Sequence, residues 1–212
     1  MNSVRGRLLS TLAGQLGNPH GVLGKGVAFV LNRSNKPAIT GAVEAAAVAP
    51  GGTVADVGFG GGAGLSLLLE RVGAGGVVHG VEISADMLAR ARSGHGSDID
   101  AGRLRLVEGS LTALPLPDDS LDAAITVNTV YFVPDLAVAC AELARVVRPG
   151  GRLVIGIGDP DAMAKLPFTS YGFTLRPVPE VVAALEQAGC TVEQRRLAST
   201  PIPHHLLVAM PR

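Results

Sequence analysis

The sequence predicts an α/β protein with a doubly wound, mostly parallel sheet. From residue 53 onward, short β-branched and aliphatic runs alternate with amphipathic helical segments, and glycine or proline separates them. Of the 212 residues, 47% are hydrophobic, yet there are only five Phe, two Tyr and no Trp, so aliphatic side chains must fill the core. The length suits one domain with a short appendage.

The first 49 residues are predicted to be helical. Apolar residues recur there at intervals of three and four, and Pro37 suits the start of a helix, with Asn35 as a possible cap. We expect residues 1–49 to form an N-terminal helical cap or lid and residues 50–212 to form the main domain. The expected helices cover 4–16, 21–32 and 37–48.

The main domain is predicted to contain seven strands. The last two runs have no helix between them, so we expect an antiparallel hairpin after a parallel sheet. Ser84 is the expected N-cap of the second crossover helix, and the turn at 149–151 is expected to precede the fifth strand. The strands are expected at 53–57, 76–82, 104–107, 121–127, 152–157, 191–198 and 204–210, and the remaining helices at 62–72, 135–147 and 179–188.

Charge and cysteine usage exclude several classes of function. Eighteen basic residues balance eighteen acidic ones, which argues against a nucleic-acid partner or a polybasic membrane patch. No apolar run approaches the roughly 18 residues of a membrane span, and no export signal is evident, so a cytoplasmic location is expected. Cys140 and Cys190 are isolated, which favours buried thiols over a metal site, and none is predicted.

A glycine cluster between the first strand and its helix is the strongest candidate ligand site. Glycines from Gly58 to Gly64 allow a sharp turn and close backbone approach to a ligand. Glu82 ends the second strand, where its carboxylate can accept hydrogen bonds from a ribose diol. These features alone also fit a dinucleotide site. Asp56 favours another cofactor, because a dinucleotide fold normally has an apolar residue at that position.

The segment 107–110 and the turn at 149–151 complete an ordered set of motifs. Over about residues 53–157 the chain resembles the class I S-adenosylmethionine-dependent methyltransferases, most closely the small-molecule group that includes quinone-biosynthesis C-methyltransferases. The resemblance implies a Rossmann-like seven-stranded sheet with S-adenosyl-L-methionine as its cofactor. It also implies methyl transfer to a small organic acceptor by in-line displacement.

The resemblance implies a cofactor site made from four segments of the main domain. Family members commonly have an acidic residue at the position of Ser110, so a weaker contact with the adenine amino group is expected there. The residues matching the methionine and ribose contacts are Asp56, Gly58, Gly60, Gly62 and Glu82, and those matching the adenine contacts are Ile83, Gly109 and Ser110. Phe59 and Asn128 are also expected to contact the cofactor.

Asn128 and Tyr131 are the candidate catalytic residues, because they follow the fourth strand at the carboxyl edge of the sheet, where such folds bind ligands. His20, His204 and His205 are possible bases, and their spacing selects none of them. Methyl transfer from a sulfonium needs alignment more than a catalytic triad.

The aromatic residues are expected to lie around one cleft, which would suit a sulfonium and an apolar or cationic acceptor. They are Phe29, Phe59, Tyr131, Phe132, Phe168, Tyr171 and Phe173.

Two alternatives remain open on the sequence. One is a non-catalytic S-adenosylmethionine-binding partner or regulatory module, which the serine at position 110 favours. The other is a nicotinamide-dependent short-chain oxidoreductase, although neither Tyr has the Lys four residues later that such enzymes use. Arsenite methylation is disfavoured, since it relies on several exposed cysteines. A homodimer is left open.

Overall fold

The computed structural model describes residues 35–167, 169–170, 172–198 and 202–212. Within these residues, seven strands form a single sheet. The predicted helices over 4–16 and 21–32 lie outside the described part. The strands are β1 (Thr53–Val57), β2 (Val77–Glu82), β3 (Leu104–Glu108), β4 (Leu121–Val127), β5 (Val147–Gly158), β6 (Cys190–Leu197) and β7 (His204–Pro211).

Helices connect most of these strands, as the apolar periodicity predicts. Ser84 accepts a hydrogen bond from the Met87 backbone N–H, which confirms its predicted role as an N-cap. Asp135 caps the helix after β4 in the same way. The helices are α1 (35–45), α2 (Ala63–Val72), α3 (Ala85–Gly94), α4 (Gly96–Asp100), α5 (Leu136–Val146), α6 (Pro160–Met163) and α7 (Val178–Gln187), and a 3-10 turn covers Val130–Phe132.

The strand order is β3-β2-β1-β4-β5-β7-β6, and the predicted doubly wound sheet is confirmed. The first five strands of the chain pair in parallel, whereas β7 lies antiparallel to both β5 and β6. Alternation along each strand divides the apolar side chains between two clusters. One packs with α1, α2 and α3, and the other packs with α5 and α7.

β5 differs from the prediction at its start. A turn was expected at residues 149–151, but these residues are part of the strand, because Val147 pairs with Leu121 before the register shifts at Ala123. The glycines there retain turn-like backbone, with Gly150 at φ +77°. Asn35 already lies within α1 and therefore does not cap it. The short helices α4 and α6 were not predicted, since four or five residues carry no apolar periodicity.

Helix α1 packs directly on the main sheet. Ala42 and Val43 are buried in the same cluster as α2, and Gly41 lies against side chains of β6 and β7. No helix among the described residues is long and apolar enough to cross a bilayer.

Candidate functional site

The strand order reverses between β1 and β4, so the loops that follow these strands open a crevice at the carboxyl edge of the sheet. A side chain at Gly58 would meet Thr129 of the opposite loop, since a Cβ there would lie 2.5 Å from the Thr129 Cγ2 atom. Gly58 also has φ +72°, a conformation that L side chains rarely adopt. The two loops therefore approach as closely as they do because position 58 is glycine.

The predicted glycine loop runs from Gly58 to the start of α2. Gly58 donates its backbone N–H to the Val81 carbonyl at 2.7 Å, which ties the loop to β2. A Cβ at Gly60 would meet nothing within 4 Å, so this part of the loop borders open space. Gly62 directly precedes α2 and donates to the Phe59 carbonyl. The loop thus has both the curvature and the open side that a bound ligand requires.

Glu82 is buried at the end of β2, and its carboxylate is oriented by backbone donors. One oxygen accepts from Gly60 at 2.8 Å, and the other accepts from Ile83 at 2.8 Å and Ser84 at 3.0 Å. A carboxylate oxygen can accept two hydrogen bonds, so the oxygen facing Gly60 has capacity for one more. The carboxylate therefore both holds the glycine loop and is able to accept from a ligand hydroxyl.

Asp56 lies in β1 with only 5% of its surface exposed. Its carboxylate packs against Gly64 at the start of α2, and a Cβ at Gly64 would overlap it. Burial raises the pKa of Asp56 to about 8, and the nearby Glu82 charge adds to the increase. At neutral pH the two carboxyl groups of Asp56 and Glu82 therefore retain one proton between them. A cation bound in this crevice would favour loss of that proton.

Ile83 is one of two large hydrophobic side chains with high exposure in the described residues, at 54%. It directly follows Glu82, so an apolar surface stands beside the buried carboxylate. Gly109 lies near it, because its backbone donates to the Glu82 carbonyl. The Ser110 hydroxyl accepts from the Thr112 backbone at 3.3 Å and lies 3.0 Å from the Thr112 hydroxyl. Ser110 is therefore already engaged within its own turn.

Asn128 and Tyr131 lie together after β4, as predicted. The Tyr131 hydroxyl accepts from the Gly158 backbone at 2.6 Å and donates to Asn128 Oδ1 at 3.3 Å. His204, on β7, lies 3.3 Å from Asn128 Nδ2. Burial raises the pKa of Tyr131 well above its usual value, so its hydroxyl stays protonated at neutral pH. The sequence offered three histidines without choosing one, and the structure brings His204 to the two candidate catalytic residues.

His205 points elsewhere, and its ring lies between Asp159 at 3.1 Å and Gln194 at 3.0 Å. His20 lies outside the described residues. No group of three or more His, Cys, Asp or Glu in the described part of the chain is arranged to hold a metal. Cys140 is fully buried, and burial, followed by the nearby Cys190, raises the pKa of its thiol to about 12. The predicted core thiol is confirmed.

The aromatic residues do not all surround one cleft. Tyr131, Phe132 and Phe173 form a cluster with ring centroids 4.7–6.3 Å apart. Phe59 is buried on the opposite face of the sheet, in the cluster that includes Leu65, so the prediction is wrong for its ring. Its place in the loop is fixed by core packing. Phe29, Phe168 and Tyr171 lie outside the described residues.

Arg145 is a residue whose role sequence reasoning missed. From the last turn of α5 its guanidinium donates to the carbonyls of Leu114 and Leu116, at 3.1 and 2.9 Å, and to Asp118 and Glu142. It thereby fixes the loop before β4, whose Pro115 packs on Gly109. An arginine at the end of an amphipathic helix gives no sequence signal for such a contact.

A separate cavity of about 370 Å³ lies at the opposite, amino edge of the sheet, between residues 46–52 and 148–152. Its charged groups are engaged within the chain, since Arg148 donates to Asp122 at 2.8 Å and Arg152 donates to the Ala45 carbonyl at 3.1 Å. It contains none of the predicted site residues.

Comparison with known proteins shows what the domain is similar to. Residues 55–155 match the family model described as a methyltransferase domain. The arsenite methyltransferase of Halobacterium salinarum is 34% identical over 123 residues, which cover 58% of this chain and 30% of that protein. This chain spans about a third of the length of the curated relatives it matches. These matches support the predicted resemblance to methyltransferases over the matched residues.

Solved structures show the same fold. A chain from the complex between the Haloferax volcanii Trm112 methyltransferase activator and a methyltransferase superposes with a TM-score of 0.77 at 21% identity, covering 96% of this chain and 98% of that one. Geranyl diphosphate C-methyltransferase from Streptomyces coelicolor A3(2), solved with Mg²⁺, geranyl diphosphate and S-adenosyl-L-homocysteine, gives a TM-score of 0.73 at 16% identity, covering 93% and 89%. Both similarities establish the fold.

Proposed function

We propose that this chain, which has a methyltransferase domain over residues 55–155, transfers the methyl group of S-adenosyl-L-methionine to a small organic acceptor. The observation that carries the proposal is the crevice between β1 and β4, where a backbone-oriented Glu82 carboxylate, an open glycine loop and an exposed Ile83 side chain meet. The quinone-biosynthesis-like subgroup stays a prediction.

The residues of the crevice fit the cofactor chemically. Glu82 would accept hydrogen bonds from the ribose hydroxyls through the capacity left on its Gly60-facing oxygen. Exposing Ile83 to water is unfavourable, and an adenine ring packed on it would remove that apolar area from solvent. Asp56 and Glu82 together would attract the positive charges of the methionine portion. When bound, the cofactor supplies an activated methyl group.

The residues of this chain would act mainly by alignment and by excluding water. A reacting atom must lie within about 3–3.5 Å of the methyl carbon and in line with the bond to sulfur. Asn128 and Tyr131 stand after β4, on the acceptor side of the proposed cofactor site, and the Asn128 amide has a further N–H and a further lone pair to offer a ligand.

The acceptor is proposed to be apolar or cationic. The Tyr131, Phe132 and Phe173 rings provide an aromatic cluster beside the candidate catalytic residues, and aromatic faces attract both kinds of group. Arsenite is disfavoured, because the only two cysteines of this sequence are both buried. A homodimer stays a prediction.

Two measurements test the proposed function. Calorimetry should show binding of S-adenosylmethionine, and incubation with methyl-labelled S-adenosylmethionine and a crude metabolite extract should transfer label to a small molecule. Glu82→Gln should weaken binding, whereas Glu70→Gln, on the exposed face of α2, is the matched control and should not.

The alternatives give different results in the same measurements. Tight S-adenosylmethionine binding with no label transfer would favour a non-catalytic binding module, which the internally bonded Ser110 hydroxyl keeps under consideration. Binding of NADH without S-adenosylmethionine would contradict the proposal and favour an oxidoreductase.

A further inference from the structure

His204 is held at both ring nitrogens among the described residues. The residue is 3% exposed, its Nδ1 lies 2.8 Å from the Ile202 carbonyl oxygen, and its Nε2 lies 3.3 Å from Asn128 Nδ2. A carbonyl only accepts hydrogen bonds, so Nδ1 must carry a proton. In the neutral ring, Nε2 is then an acceptor, and it receives an N–H of the Asn128 amide.

This arrangement fixes the direction of the Asn128 carboxamide. Tyr131 accepts from the Gly158 backbone N–H, so its own proton is available to donate to Asn128 Oδ1. With neutral His204, every donor in the hydrogen-bonded series Ile202–His204–Asn128–Tyr131–Gly158 meets an acceptor. A protonated Nε2 would face the Asn128 amide N–H, and the carboxamide would have to turn over. Burial lowers the pKa of His204, although the Ile202 contact opposes this, so the neutral form is favoured.

The backbone of Asn128 is held independently of its side chain. Its N–H donates to the Gly156 carbonyl at 2.8 Å, and its φ of +59° places it in the left-handed region. The orientation of the Asn128 carboxamide is therefore the remaining variable at this position. A 180° rotation of the carboxamide would exchange Nδ2, a donor, with Oδ1, an acceptor, and so change which group faces a ligand.

We propose that His204 is a positioning residue. Its Nε2 holds Asn128 Nδ2, which keeps Oδ1 toward Tyr131 and thereby fixes the orientation in which the carboxamide meets the methyl acceptor. This inference rests on the proposed function, in which Asn128 contacts the reactants. His204 itself acts through Asn128, and its occupied Nε2 makes it a poor general base.

The tautomer can be measured without any methyl acceptor. In ¹⁵N-labelled full-length protein at pH 7, the His204 imidazole should show a protonated Nδ1 and an unprotonated Nε2, with the Nε2 signal shifted by the Asn128 hydrogen bond. Loss of that shift in Asn128→Ala would support the contact. A protonated Nε2 at pH 7 would overturn the proposal.

Variants test the consequence for transfer. His204→Phe removes the acceptor and should lower the maximal rate of label transfer from S-adenosylmethionine into a metabolite extract by roughly tenfold or more, with less than a threefold change in the KM for S-adenosylmethionine. His204→Gln retains an acceptor oxygen and should restore most of the rate. His95→Phe, at the start of α4, is the control and should keep the wild-type rate.

An unchanged rate in His204→Phe, or an equal loss in the Phe and Gln variants, would overturn the positioning role. If the wild-type protein transferred no label, the proposed function would fail, whereas the imidazole spectrum would still decide whether His204 orients Asn128.

Discussion

Asp56 shows how a single buried carboxyl links the site to pH. Its folded-state pKa of about 8 lies above the ordinary value of 3.8, because burial and Glu82 disfavour the ionised form. Between these values the native state binds more protons than the unfolded state, so this group lowers the free energy of unfolding as pH rises. At neutral pH the folded protein without ligand is therefore destabilised by the burial of the Asp56 carboxyl beside Glu82.

Asp56→Asn should remove this pH dependence. Between pH 4.5 and 7.5, the variant should gain stability over the wild-type protein by up to about 1.4 kcal/mol per pH unit, measured by chemical denaturation without ligand. His79 and His204, whose pKa values are lowered by burial, act in the opposite direction in both proteins and cancel in the difference. A pH-independent difference, as expected for the exposed Asp100→Asn control, would contradict the assignment.

Ser110 tests the adenine side of the site. Its hydroxyl is engaged with Thr112, so it contributes little to an external ligand. Ser110→Asp supplies a charged acceptor, and a charge-assisted hydrogen bond is worth about 1 kcal/mol more than a neutral one, so the Kd for S-adenosylmethionine should fall about fivefold. Calorimetry measures the change. Ser110→Asn is the neutral control, and an equal gain in both variants would exclude a charge effect.

Helix α5 stabilises the site through Arg145, although it contributes none of the predicted ligand contacts. The guanidinium connects this helix to the loop before β4, and the Leu114 backbone N–H donates back to Glu142 at 2.8 Å. Hydrogen bonds to the carbonyls fix that loop against Gly109. The helix therefore supports the proposed adenine pocket through this loop.

Arg145→Met should lower the free energy of unfolding by about 1–3 kcal/mol, since several partly buried hydrogen bonds lose their donor, and should also weaken binding of S-adenosylhomocysteine. Arg148→Met, which removes an exposed ion pair with Asp122, is the matched control and should cost less than about 1 kcal/mol. Urea unfolding and calorimetry measure both effects. Equal destabilisation by the two substitutions would contradict a specific role for Arg145.

At the scale of the whole molecule, we expect cofactor binding to raise the free energy of unfolding, because the crevice between β1 and β4 exists only in the folded sheet. A ligand that binds only the native state at 100 times its Kd adds about 2.7 kcal/mol to the free energy of unfolding. S-adenosylhomocysteine should therefore raise the Tm in a concentration-dependent way, and NADH at the same concentration should not. Thermal denaturation checks this, and stabilisation by NADH alone would contradict it.

The local pattern of the chain was sufficient for most of the fold. Strands, crossover helices and the terminal hairpin follow from apolar periodicity and turn residues, both of which are local properties. The start of β5 was mispredicted, because the pairing of Val147 with Leu121, a contact between distant segments, extends the strand beyond the local turn at Gly150. The short helices escaped prediction for lack of periodicity.

The candidate site likewise contains residues that the sequence identifies and contacts that only the tertiary structure shows. The glycine loop and Glu82 could be identified from spacing, since chain order places them at the ends of neighbouring parallel strands. The partners of Asn128, the burial of the Phe59 ring and the role of Arg145 depend on which distant side chains packing brings together. Residue type and spacing thus specify which chemistry is available at the carboxyl edge. Packing decides which of those groups meet, because hydrogen bonds and burial depend on distances that the linear order leaves open.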